Sequence, residues 1–120
     1  MPGKNLSFGK VAEKEAAVFL KAQGYTILEQ NYRTKLGEID IIAKDKDTIC
    51  FVEVKTRTQT DQGHPLESVT PSKQQKLRRA ALYYLQTKNW CERNARFDVV
   101  AIIPGEENNP IIEFVPNAFE

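Results

Sequence analysis

Apolar residues near the start of the chain recur at helical spacing. Phe8, Ala12, Ala16, Phe19 and Leu20 fall on one stripe, which predicts a first helix from about Ser7, a candidate N-cap, to Gln23, with Gly24 as its stop. The period then changes to two. Tyr25-Thr26-Ile27-Leu28 reads as a short first strand leading into Asn31-Tyr32-Arg33. Gly37 opens a second strand over Glu38–Ala43, closed by the polar turn Lys44-Asp45-Lys46-Asp47, and Thr48–Lys55 follows as a third, so the two make a hairpin. From Thr56 to Glu67 no apolar period survives, and a mobile loop is expected. Pro71, with Thr70 as cap, starts a second helix that runs to about Lys88 and presents Leu77, Ala81, Tyr84 and Leu85 as its apolar stripe. Ala95–Ile103 is a fourth strand ended by Pro104-Gly105, and Ile111–Val115 a fifth, bounded by Pro110 and Pro116. The order αβββαββ gives an α/β fold, a mixed sheet flanked by helices, in a single domain over residues 1–120.

Length and composition set bounds on this picture. A chain of 120 residues, 41% hydrophobic and 28% charged, supports one core and excludes disordered, collagenous and coiled-coil classes. No apolar run approaches the ~20 residues of a membrane span, and the N-terminus has no secretory h-region, so a cytoplasmic protein with no membrane partner is expected. Cys50 and Cys91 lack metal-site spacing and read as reduced, mostly structural thiols. The net charge of +1 is uninformative, but its distribution is not. Between Glu67 and Glu92 there is no acid, while Lys73, Lys76, Arg78, Arg79 and Lys88 fall there. After Arg96 there is no base, and Asp98, Glu106, Glu107, Glu113 and Glu120 make that end acidic.

The hairpin carries the unusual chemistry. Alternation puts Asp40 on the Glu38/Ile42 face of its strand and Glu53 and Lys55 on one face of theirs. A turn near Asp45 to Asp47 sets Asp40 level with residues 52 to 54, so two carboxylates converge beside a lysine. Burying unpaired like charges is unfavourable, and a divalent cation resolves the conflict. Mg²⁺ or Mn²⁺ takes such oxygen ligands together with water and substrate phosphate, polarises a phosphate and acidifies a bound water. If the pair stands unneutralised without metal, the neutral Glu53→Gln should raise the melting temperature of the metal-free protein. On the first helix, spacing leaves both Glu13 and Glu15 at the edge of the apolar stripe. On the second, Lys73 extends the core-facing stripe at a helix N-terminus that disfavours a cation, so an anion, substrate phosphate or the carboxylate cluster, is expected beside it.

A helix-one glutamate, then Asp, then Glu-x-Lys in the following strand resembles the PD-(D/E)xK nuclease superfamily, which includes Holliday-junction resolvases. Gly9-x-x-Ala12-Glu13-x-x-Ala16, Asn31-Tyr32-Arg33, Gly37-Glu38-Ile39-Asp40 and Phe51-Val52-Glu53-Val54-Lys55-Thr56-Arg57 are more closely similar to the YraN-like family of uncharacterised bacterial proteins. The resemblance implies a restriction-endonuclease-like fold with Asp40, Glu53 and the Val54 carbonyl as metal ligands and Lys55 as the catalytic lysine. It selects Glu13 over Glu15 as a further ligand or catalytic group, and it includes a lysine at the Lys73 position. It also implies a nuclease acting on DNA in preference to RNA, at branched or single-stranded sites, working as a homodimer. Ile39 precedes Asp40 where the superfamily name has Pro.

Arg33, Arg57, Lys73 and Lys76 are the expected phosphate contacts. His64, in the expected loop, is read as a loop residue and not as a catalytic base, and Trp90 and Tyr83-Tyr84 as core in preference to base-stacking groups. Two other function classes stay open: a nucleic-acid-binding module without turnover, and an interaction scaffold that uses the acidic end.

Overall fold

A computed structural model of the protein describes residues 8–57, 67, 69–103, 105 and 109–120. Two helices and five strands follow in the order α1 (Phe8–Ala22), β1 (Thr26–Arg33), β2 (Glu38–Asp45), β3 (Thr48–Thr56), α2 (Pro71–Lys88), β4 (Ala95–Ile103) and β5 (Ile111–Phe119). The expected order αβββαββ is therefore present. His64 and most of the expected loop lie outside the described residues, as do Ser7, Glu106 and Glu107.

The strands form one mixed sheet in the order β1-β2-β3-β4-β5. All neighbours are antiparallel except β3 and β4, which are parallel because α2 carries the chain back between them. Each face of the sheet is covered by one helix. Ala12, Ala16, Ala17 and Leu20 of α1 pack on Ile41, Ala43, Cys50, Val52, Val100 and Ile102. On the other face Leu77, Ala80, Ala81 and Tyr84 of α2 pack on Ile39, Ile42, Ile49, Phe51 and Val99. Tyr84 anchors that side: it is 2% exposed and its ring meets Tyr32, Phe51 and Trp90 edge-on. Trp90 is thus packing, as expected.

The helix ends obey the local rules. Gly24, at φ +96°, closes α1 with its N–H on the Lys21 carbonyl while the Tyr25 N–H reaches Leu20, the paired bonds of a Schellman stop. Thr70 caps α2 by accepting from the Lys73 N–H at 3.2 Å, Pro71 fills the first turn, and Asn89 takes the left-handed conformation at the far end.

Two expectations need correction. Pro116 does not end the last strand, since β5 runs on to Phe119. The β4–β5 register shifts between Phe97 and Val99, so Pro116 sits where no ladder donor is required, and the next N–H, of Asn117, donates to Asp98 Oδ1 at 2.8 Å. Asp98 is accordingly not part of an acidic surface: it is fully buried, and Arg96 Nε donates to both of its oxygens at 3.0 and 3.2 Å. Arg96 also reaches Asp45 at 3.4 Å and the Tyr25 hydroxyl. The thiols divide as well. Cys50 is buried, and burial followed by the charge of Asp98 pushes it up to about 12, whereas Cys91 is exposed.

One glycine fixes the distance between β2 and α2. A Cβ on Gly37 would lie 3.0 Å from the Lys76 carbonyl oxygen and 3.4 Å from its carbon, so any side chain there would need the helix backbone to give by a few tenths of an ångström. The turn leading to it is braced by Thr34, whose Oγ1 donates to the Gly37 carbonyl at 2.9 Å and accepts from the Leu36 and Gly37 N–H groups. Gly37→Ala is expected to push these elements apart and to cost about 1–3 kcal/mol, a fall of several degrees in melting temperature. A variant that melts with wild type would mean that the contact yields freely.

Candidate metal and phosphate site

The site is assembled where the sheet loses its regular alternation. Ile41 packs against α1 and Ile39, two residues earlier, against α2, so the side chains change face across Asp40. The neighbouring strand changes with it. Asn31, between the pairs Gln30↔Ile41 and Tyr32↔Ile39, lies opposite Asp40 and takes a left-handed φ of 53°. On the other side, one step beyond the pair Ile41↔Val52, Asp40 comes level with Glu53. The Asp40 carboxylate turns along the sheet, where its Oδ2 accepts from the Val54 N–H at 2.8 Å. Levelling of Asp40 with Glu53 follows the sequence expectation; the switch of face does not.

Glu53 is 3% exposed in the central strand. Two ammonium groups answer its charge. Lys55 Nζ lies 3.5 Å from Oε2, and Lys73 Nζ, brought from the first turn of α2, contacts the same oxygen. These are contacts of proximity: Glu53 Oε2 has no well-directed hydrogen bond, and neither does the buried Oε1 of Glu13. The anion expected beside Lys73 is therefore the carboxylate cluster.

Burial pushes Asp40 up to about 8, and hydrogen bonding to Glu53 and the charge of Glu53 push the same way, opposed by the Val54 N–H. The Asp40 carboxyl is thereby held toward its protonated form, hydrogen-bonded to Glu53. Glu13 is raised by burial and by the Glu53 charge, while a hydrogen bond from Asn31 works against the shift. Lys55 is lowered by burial and by its neighbour Lys73, against the pull of Glu53. For Lys73 burial opposes the charge, but hydrogen bonding to Glu53 outweighs it, and the group is raised.

A pocket of about 410 Å³ opens over this cluster, lined by Gly37, Glu38, Asp40, Glu53 and, from α2, Lys73, Lys76 and Leu77. Of the residues expected to work together, Asp40, Glu53, Lys73 and Lys76 thus share one pocket, and Lys55 stands against Glu53. Glu13 couples to the pair by charge without lining the pocket. Two expected phosphate contacts sit elsewhere. Arg57 Nη1 is 3.5 Å from Glu113 Oε1 and only 10% of its side chain is exposed, because β5 brings Glu113 to the sheet edge beside β3 and β4. Arg33 pairs with Glu38 at 3.2 Å on the open surface. Among the described residues no three His, Cys, Asp or Glu side chains converge closely enough to hold a metal by themselves. Asn31, Thr34 and the close approach at Gly37 escaped sequence reasoning. Asn opposite Asp is the one signal that pointed to the first, since Asn adopts left-handed backbone more readily than most residues.

A family model described as uncharacterised protein family UPF0102 matches residues 12–102. A UPF0102 protein of Syntrophus aciditrophicus is 51% identical over 117 residues, covering 98% of this chain and 91% of that protein. A second, from Desulfosudis oleivorans, is 48% identical over 120 residues, with 100% and 95% covered, and a third, from Clostridium acetobutylicum, is 45% identical over 117 residues, with 97% and 96% covered.

The geometry reverses the sequence expectation for Glu53→Gln. Glu53 is the counter-charge of two lysines, so its neutral isostere should lower the stability of the metal-free protein by about 1–3 kcal/mol and its melting temperature by several degrees, less than in a fully buried pair because both lysines keep access to water. Asp40→Asn behaves oppositely. The amide reproduces the protonated carboxyl, with an oxygen for Val54 and a donor for Glu53. Since Asp40 is raised from 3.8 to about 8, the folded state holds a proton the unfolded state has released, and wild-type stability falls as pH rises from about 4 to about 8. Chelated melts across that window should show Asp40→Asn gaining on wild type with pH; a constant difference would rule out a proton held on Asp40.

Proposed function

The chain belongs to the uncharacterised protein family UPF0102, and we propose that it is a divalent-metal-dependent nuclease with a restriction-endonuclease-like fold, hydrolysing phosphodiester bonds in DNA. The observation that carries this reading is the pairing of the buried Glu53 with the half-buried Asp40 beneath a pocket flanked by lysines. A proton on Asp40 and the ammonium of Lys73 hold the charge of that pair in check. Both would give way to a divalent cation, which brings two charges and takes several oxygen ligands. Buried oxygens of Glu53 and Glu13 that lack well-directed hydrogen bonds suit the same exchange.

Asp40 and Glu53 would hold Mg²⁺ or Mn²⁺, joined by the Val54 carbonyl, with Glu13 adjusting the charge from behind. Of the three carboxylates that line the pocket, Glu38 is paired with Arg33, and the remaining two suit ions that keep several waters and take substrate phosphate as a ligand. When bound, the ion polarises the phosphate and lowers the pKa of a coordinated water. Lys55, lowered by burial and held against Glu53, orients the attacking water and stabilises developing charge. Lys73 and Lys76 bind the flanking phosphate from the α2 side. By the same resemblance the protein works as a homodimer, which sedimentation would read.

One observation favours a second reading, a phosphate-binding module without turnover: no preassembled three-ligand group is present among the described residues. Metal response separates the two. Wild type should gain melting temperature with Mg²⁺ or Mn²⁺ at matched ionic strength, roughly as RT ln(1 + [L]/Kd), and Glu53→Gln should gain much less. Lys55→Ala should abolish metal-dependent nicking of labelled DNA and leave binding within about twofold. Binding without a metal shift or nicking would favour the module. Lys73→Ala should reduce the salt slope of binding by about one unit and weaken unrelated sequences alike. If affinity and slope both hold, Lys73 serves only Glu53.

A further inference from the structure

Beside the first pocket lies a second hollow of about 460 Å³, lined by Arg33, Thr34, Lys35 and Leu36 of the β1–β2 turn and by Tyr83 of α2. The two are neighbours on both elements. Leu36 lines one and Gly37 the other, and Arg33 pairs with Glu38, which lines the first. On α2, Lys76 of the first pocket and Tyr83 of the second are seven residues apart, two turns on one face, or about 10 Å along the axis.

Adjacent tyrosines have opposite fates here. Tyr84 is core, at 2% exposure, whereas Tyr83 is 48% exposed and Leu36, across the hollow, 47%. The expectation that both rings pack in the core holds for one alone. Two large apolar surfaces left in water thus line one hollow together with two cations. Lys35 has no ion-pair partner among the described residues, and the Arg33–Glu38 pair has side chains 70% and 67% exposed, so it contributes little and is exchangeable for another anion.

We propose that this hollow is a base-binding subsite: a strand whose phosphate occupies the first pocket places an unpaired base, about one to three nucleotides away, between Tyr83 and Leu36. Resting on the nucleic-acid reading above, it narrows the substrate class to single-stranded, flapped or frayed nucleic acid. A planar heterocycle suits the gap because each face is apolar and stacks on an aromatic ring without regard to sequence. Paired bases cannot enter, their faces being covered by neighbours in the stack. Arg33 and Lys35 meet the phosphates on either side of the base, which an apolar peptide would leave unanswered. At about 460 Å³ the hollow lies within the ~300–1,000 Å³ of small-ligand sites.

The test uses oligonucleotides containing 2-aminopurine, as single strands of DNA and of RNA and as a blunt DNA duplex, titrated in chelator so that none is cut. Wild type should quench the single-stranded probe. Tyr83→Ala should bind it roughly 5- to 150-fold more weakly, and Tyr83→Phe within about twofold of wild type, while duplex affinity stays unchanged. Lys35→Ala should lower the single-strand salt slope by about 0.7. The DNA and RNA arms report which sugar the subsite accepts. Equal single-strand affinity of Tyr83→Ala and wild type overturns the proposal, as does an equal loss on single strand and duplex. Tyr83 lies outside the carboxylate cluster, so metal-dependent nicking that persists beside either failing result leaves the nuclease reading standing. Tyr83-dependent stacking with no nicking under any metal does the reverse. Absence of binding to every probe removes both.

Discussion

A carboxylate in the middle of the central strand is the constraint around which this molecule is arranged. Glu53 stands in β3 between Val52 and Val54, nearly free of water, and its charge must be answered from within the fold. Lys55 answers from the same strand. Lys73 comes from α2, against the dipole of its own helix, and so ties the helix N-terminus to the sheet. That tie requires α2 to lie close over β2, and the absence of a side chain at Gly37 makes the approach feasible. Thr70 and Pro71 then set where the helix begins, which decides that residue 73 and not a neighbour reaches the carboxylate.

Asp40 is placed by a different device. A regular ladder would send its side chain squarely to one face, but the alternation breaks at Asn31 and Asp40 together, on adjacent strands at one level of the sheet. The carboxylate then lies along the sheet, takes the Val54 N–H and meets Glu53. Such an arrangement is costly as structure: it uses a left-handed non-glycine residue, a raised acid and buried oxygens without directed partners. Left-handed backbone recurs at Asn117 beside Asp98, but among the described residues raised acids and buried oxygens without directed partners coincide at this cluster alone, where folding by itself does not call for them.

Much of this was legible in the residues. Both helices, the hairpin and β4 follow from period and punctuation, and the Asp40–Glu53 level follows from the turn position alone. Lys73 was visible as a cation extending an apolar stripe. What escaped depends on partners distant in the chain. Pro116 looks terminal until Asp98 supplies the acceptor that lets β5 continue past it. Asp98 looks like surface charge until Arg96 closes on it, and Arg57 like a phosphate contact until β5 brings Glu113 alongside. The sign of the Glu53→Gln effect was misjudged for the same reason: period shows which face a carboxylate takes, not how many ammonium groups another element delivers there.

The two buried charge networks make the asymmetry of the sheet plain. Near the start of β4, Asp98 is held by both contacts from Arg96 and by the Asn117 N–H, while Arg96 also engages Asp45 and Tyr25, so every buried charge there has directed hydrogen bonds. A network satisfied in this way rigidifies its surroundings and leaves nothing for a ligand. One level further along the same ladder, Glu53, with Glu13 of α1, keeps buried oxygens without directed partners, and Asp40 and Lys55 are both moved toward their neutral forms. Asp98 is level with Val52 and Glu53 with Val99, so the rigid network braces the strands directly beside the strained cluster. A group kept neutral by its surroundings changes state when those surroundings gain or lose one charge. That response requires the cluster to be left unfinished by the protein itself, and the well-bonded network around Asp98 shows that this sheet is able to finish one.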